Sequence, residues 1–72
     1  MTLNEFINHI KHNSLTINIY EKPDDALDFH KIHFLGSVGE FKTAVIKRYI
    51  GEWRILKIEP LEFELNIYIK EN

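Results

Sequence analysis

Four histidines carry the most obvious chemistry in this chain, and they come in two pairs of equal spacing, His9 and His12 in HIKH and His30 and His33 in HKIH. Two such pairs supply enough imidazoles for a zinc site, because neutral histidine is a common zinc ligand. The spacing works against a shared ion. On a helix His9 and His12 fall to the solvent side of the apolar stripe, and on a strand residues three apart face opposite sides of the sheet. With no cysteine and no His-Glu-x-x-His context, these are expected to be solvated or edge histidines and no metal is expected.

GSVGE at 36–40 is the second candidate, since free amides and the helix dipole can hold an anion at a helix start. It matches neither the Walker spacing nor the dinucleotide-binding glycine turn. Ser37 and Glu40 stand at the spacing of a capping box, whose carboxylate competes for the amides an anion would need. A structural cap is expected there. For catalysis, Asp24, Asp25 and Asp28 could work with His30, or Ser37 with His33. All lie in a loop or at a cap, where these residue types are expected without function. A small domain with one layer of helices also offers little pocket volume. A non-enzymatic protein without cofactor is the expectation.

The elements that position these residues follow from periodicity. Thr2 and Glu5 form a first capping box, and Leu3, Phe6, Ile7 and Ile10 continue as one helical stripe that ends at Asn13 and Ser14. LTINIYE at 15–21 alternates with period two, which predicts a strand with Ile17 and Ile19 inward and Asn18 and Tyr20 outward. KPDDALD reads as a loop. FHKIHFLG predicts a second strand closed by Gly36, with His30, Ile32 and Phe34 on one face and Phe29, Lys31, His33 and Leu35 on the other.

The second box opens a second helix over SVGEFKTAVIKRY, with Val38, Phe41, Val45 and Tyr49 as its inward stripe and Gly51 as its stop. EWRILKIE predicts a third strand, setting Arg54, Leu56 and Ile58 opposite Trp53, Ile55 and Lys57. Residues 59–62, with Pro60, read as a connection. FELNIYIK predicts a fourth strand with Phe63, Leu65, Ile67 and Ile69 inward and Glu64, Asn66, Tyr68 and Lys70 outward.

The order αββαββ, with one apolar face on the first and last strands, implies an α+β fold. It is a single two-layer domain over residues 1–72, with a four-stranded, largely antiparallel sheet and two helices on one face. Seventy-two residues lie near the lower limit for an independent apolar core. A net charge of -2 argues against affinity built on phosphate neutralisation. No apolar run reaches the length of a membrane span, and the start of the chain lacks a signal core, so a cytoplasmic protein is expected.

The outward face of the sheet is the surface left for function. Tyr20, Trp53 and Tyr68 can project from it among Asn18, Asn66, Lys57 and Lys70, and exposed aromatics are typical interface anchors. A strand ending in an aromatic (NIYE), the FLGSVGEF entry, WRILKIE and the final LNIYIK, after an opening MTLNEFINHI, together resemble small proteins of phages and other mobile elements of low-GC Gram-positive bacteria. The PDDALD loop and the bulky Trp53 depart from that pattern. Such a resemblance implies a protein that binds, blocks or redirects a host protein, for example as an inhibitor of a defence nuclease of the anti-CRISPR kind or as a host-takeover factor.

Two other expectations stand beside it. One is weak single-stranded nucleic-acid binding, with Tyr20, Trp53 and Tyr68 stacking bases and Arg48, Arg54, Lys57 and Lys70 meeting phosphates. The other is a homodimer that buries the open face for stability alone.

Overall fold

The computed structural model describes residues 1–21 and 31–71. The loop over 22–28, the start of the second strand at Phe29 and His30, and the Asp24, Asp25, Asp28 and His30 cluster lie outside the described residues. The fold is α+β, with helices α1 (Leu3–His9), α2 (Val38–Thr43) and α3 (Lys47–Ile50) and strands β1 (Thr16–Glu21), β2 (Lys31–Ser37), β3 (Arg54–Pro60) and β4 (Glu64–Lys70). The sheet order is β2-β1-β4-β3. The pairs β1/β2 and β3/β4 are antiparallel, and the central pair β1/β4 is parallel. A parallel pair needs a long crossover, and β2 with the helices and β3 supplies it.

Both capping boxes form. The Glu5 and Glu40 amides donate to the Thr2 and Ser37 hydroxyls at 3.2 and 3.1 Å, and the two carboxylates accept from the cap amides at 3.0 and 2.8 Å. The remaining first-turn amides lock the two halves of the chain together. Leu3 and Asn4 donate to the carbonyls of Trp53 and Gly51, just ahead of β3, while Val38 and Gly39 donate to Leu15 and Asn13, just ahead of β1. Helix starts leave such donors orphaned unless something accepts them, so each helix is anchored by the segment that leads into the other half's hairpin.

Leu3, Ile7, Val38, Phe41 and Ile50 from the helices meet Ile17, Ile19, Ile67 and Ile69 from the central strands in one fully buried cluster. Among the described residues no polar or charged residue is buried. Phe34 closes the β2 side, its ring edge-on to Phe41 at 5.2 Å. Gly36 does not end the strand as expected: it pairs with Ile17 inside β2, and a side chain there would strike the Phe34 ring at 3.0 Å.

Four further expectations are corrected. The second helix breaks at Ala44, which is extended (φ -76°, ψ 146°), so Ile46 and Ile50 turn to the core while Val45 and Tyr49 stand 68% and 69% exposed. On an unbroken helix Ile46 and Ile50 would fall to the side of the Val38/Phe41 stripe, and burying them overrides the helix preference of alanine. In β2 the register slips at His33, so Ile32 pairs with outward Tyr20 although Phe34 pairs with inward Ile19. In β3 the slip falls at Leu56, which brings Ile58 to the same side as Ile55. An extra residue at a bulge reverses every later side chain, and ILKI needs that reversal to set both isoleucines on the side of Ile67 and Ile69. Phe63 stands 80% exposed ahead of β4, within the hairpin turn that the Leu61 amide closes by donating to the Glu64 carbonyl at 2.8 Å.

Candidate functional site

The outer face of the sheet is built from two rows that cross all four strands. The bulges set their register. One row reads Ile32, Tyr20, Tyr68, Lys57, and the next reads Leu35, Asn18, Asn66, Glu59. Each begins apolar at the β2 edge and ends charged at the β3 edge. Of the residues expected to share this face, Tyr20, Tyr68, Asn18, Asn66 and Lys57 meet in the rows, and Lys70 follows beside Arg54.

Parallel register puts Tyr20 beside Tyr68, and their rings stack with centroids 5.4 Å apart and planes at 26°. The Lys57 ammonium lies 5.8 Å from the Tyr68 centroid, within cation-π range. In the second row the Asn18 amide nitrogen donates to Asn66 Oδ1 and to Glu64 Oε1, both at 2.9 Å, and Asn66 donates to Glu59 Oε1 at 3.1 Å. Glu59 then faces Lys57 at 3.7 Å. The face is therefore held in one arrangement before anything docks on it.

Trp53 does not join them. It precedes β3, packs against the core, and meets His33 edge-on at 5.3 Å. The reason is the carbonyl of Trp53, which accepts from Leu3 and ties this residue to the start of α1. His33 in turn bonds Glu21 at 2.8 Å with only 9% of its side chain exposed. Sequence reasoning missed Ile32, Leu35 and Phe63 as surface apolar residues. For the first two the sequence carried no signal, because plain alternation puts Ile32 with Phe34 on one face and only the slip at His33 lets Ile32 and Leu35, three apart, share the other.

The other candidate chemistries disperse. His9 sits beside its own helix, with Nδ1 at 2.6 Å from the Glu5 carbonyl, and His12 is exposed. Among the described residues no three His, Asp or Glu side chains gather as metal ligands. At the start of α2, Leu15, Asn13 and Ser37 accept from the amides of Val38, Gly39 and Glu40, so these donors are committed to protein. A groove of about 500 Å³ between α1 and α2–α3 holds Lys42, Lys47 and Arg48, with Glu52 accepting from Asn4 at 3.1 Å. It brings no nucleophile beside a base, and it removes Arg48 from the sheet face.

No protein-family model, curated protein or solved structure matches the chain. Among the described residues, no helix is long and apolar enough to cross a membrane.

Proposed function

We propose that this is a non-enzymatic interaction protein that binds another protein through the outer face of its sheet. The observation that carries the reading is the stacked Tyr20–Tyr68 pair, held in register by the parallel central strands and flanked by exposed Ile32 and Leu35. Tyrosines fixed beforehand lose little entropy on docking, and an apolar patch bordered by polar groups is the anatomy of protein interfaces. In the phage or mobile-element setting implied by the sequence resemblance, the partner is a host protein met in the cytoplasm, and a defence nuclease is the first to test.

The nucleic-acid reading is weaker. Glu59 and Glu64 lie inside the asparagine network, where they repel a phosphate backbone. The test is affinity capture from host cells with the tagged full chain, read by quantitative mass spectrometry across four proteins. A partner should be retained by wild type and by Tyr49→Ala, which removes an exposed aromatic elsewhere, and lost with Tyr20→Ala and Tyr68→Ala. If no protein separates the face variants from the control, or if salt-sensitive binding to single strands separates them instead, the proposal fails.

A further inference from the structure

The two edges of the sheet are built differently. Both edges carry a register slip, at His33 in β2 and at Leu56 in β3, but β3 adds Lys57, Glu59 and Pro60, charges and a proline that discourage another strand from adding. Edge strand β2 has no proline, a single lysine at its start, and Ile32 and Leu35 standing 57% and 58% exposed. An edge of that composition is a template for strand pairing.

We propose that β2 is the interface of a homodimer, in which two copies pair antiparallel along this edge with Ile32 of one opposite Leu35 of the other. A two-fold contact must be complementary to itself, and this register satisfies that demand in three ways. On the outer face Ile32 meets Leu35 twice. Each row of one copy then runs on into the other row of the second, from Lys57 through Tyr68, Tyr20 and Ile32 to Leu35, Asn18, Asn66 and Glu59. The joined face is apolar at its centre and charged at its ends.

On the inner face the same register sets Lys31 opposite Gly36 of the second copy. The Glu40 carboxylate lies there, with Oε1 3.1 Å from where a side chain on Gly36 would begin. Each lysine thus meets a carboxylate across the contact, and among the described residues of β2 no like charges are opposed. The third match is the bulge: His33 and Phe34 fall at the two-fold axis and are opposed by the same two residues, so the two irregularities coincide. A chain of 72 residues is also of the size at which association is one of the devices that supplement a small core.

The inference goes beyond the proposed partner binding, because the dimer needs neither tyrosine and would present two Tyr20–Tyr68 pairs side by side. Light scattering and sedimentation of the full chain over a concentration series should give a monomer–dimer equilibrium. Leu35→Lys should weaken it at least about tenfold with an unchanged circular dichroism spectrum, Lys31→Glu should weaken it less, and Tyr68→Ala should leave it in place. The chain has no cysteine, so the register can be read directly. Mixed Ile32→Cys and Leu35→Cys chains should oxidise to a cross-linked pair far more readily than either chain with itself, which also decides the matter if Leu35→Lys fails to fold. A wild-type chain that stays monomeric to about 1 mM, a dimer unaffected by a folded Leu35→Lys, or self-cross-links as frequent as mixed ones would overturn the proposal.

Discussion

Tyr20 and Tyr68 occupy equivalent positions on adjacent parallel strands and stack at 5.4 Å, although 48 residues separate them in the chain. Their contact joins the first hairpin to the second on the sheet face opposite the buried isoleucines. Aromatic pairs of this kind contribute about 0.5–1.5 kcal/mol beyond the area they cover. A double-mutant cycle with Tyr20→Ala, Tyr68→Ala and the double variant, measured by urea denaturation, should return a coupling in that range. Coupling near zero would mean that the rings lie side by side without supporting each other, and would weaken the case for a face fixed in advance.

The break at Ala44 makes a second prediction. Ile50→Ala should cost about 2–5 kcal/mol, as for other aliphatic truncations in a filled core. Val45→Ala and Tyr49→Ala should each stay within about 0.5 kcal/mol, as expected for exposed sites. An unbroken helix would reverse the order, so the two pairs of variants discriminate between the arrangements.

Gly51 is required for room and not for an unusual backbone angle, since its φ is -58°. A methyl group there would press on the Asn4 amide and come within 2.5 Å of the Lys47 carbonyl oxygen. Gly51→Ala should therefore lower the melting temperature although it raises helix propensity. Asn4→Ala in the same background should recover part of the loss, because one of the two clashes is with the asparagine side chain.

The two capping carboxylates contribute to the acid limb of stability. Glu5 and Glu40 are both held below the ordinary value of 4.5, first by the amide of the cap residue and then by its hydroxyl. A carboxyl whose value is depressed on folding binds its proton more readily in the unfolded chain. Its stabilisation is present above 4.5 and is lost as the pH falls through the lowered folded value. The urea midpoint should drop over that window, and the drop should be shallower in a Glu5→Gln, Glu40→Gln double variant, which keeps a capping acceptor without the charge. Equal slopes for the two proteins would show that other carboxyls govern the acid limb.

Local order was legible in the residues themselves. Thr2 with Glu5 and Ser37 with Glu40 fixed the starts of α1 and α2, because a capping box is satisfied within one turn and needs nothing distant. The alternation of TINIYE and LNIYIK likewise determined which residues of β1 and β4 face the core, and hence that Asn18, Tyr20, Asn66 and Tyr68 face away. What the sequence could not decide was long-range. The slips at His33 and Leu56 depend on which residues lie opposite in the neighbouring strand, and they reverse the faces of Ile32 and Ile58. The capture of Trp53 depends on α1 docking against it, and the break at Ala44 depends on where the core has space. Above all, only the tertiary structure set β1 beside β4 in parallel, and that pairing turns two separate tyrosines into one surface. Caps and alternation act over a few residues, whereas register and strand order are settled by burial across the whole sheet.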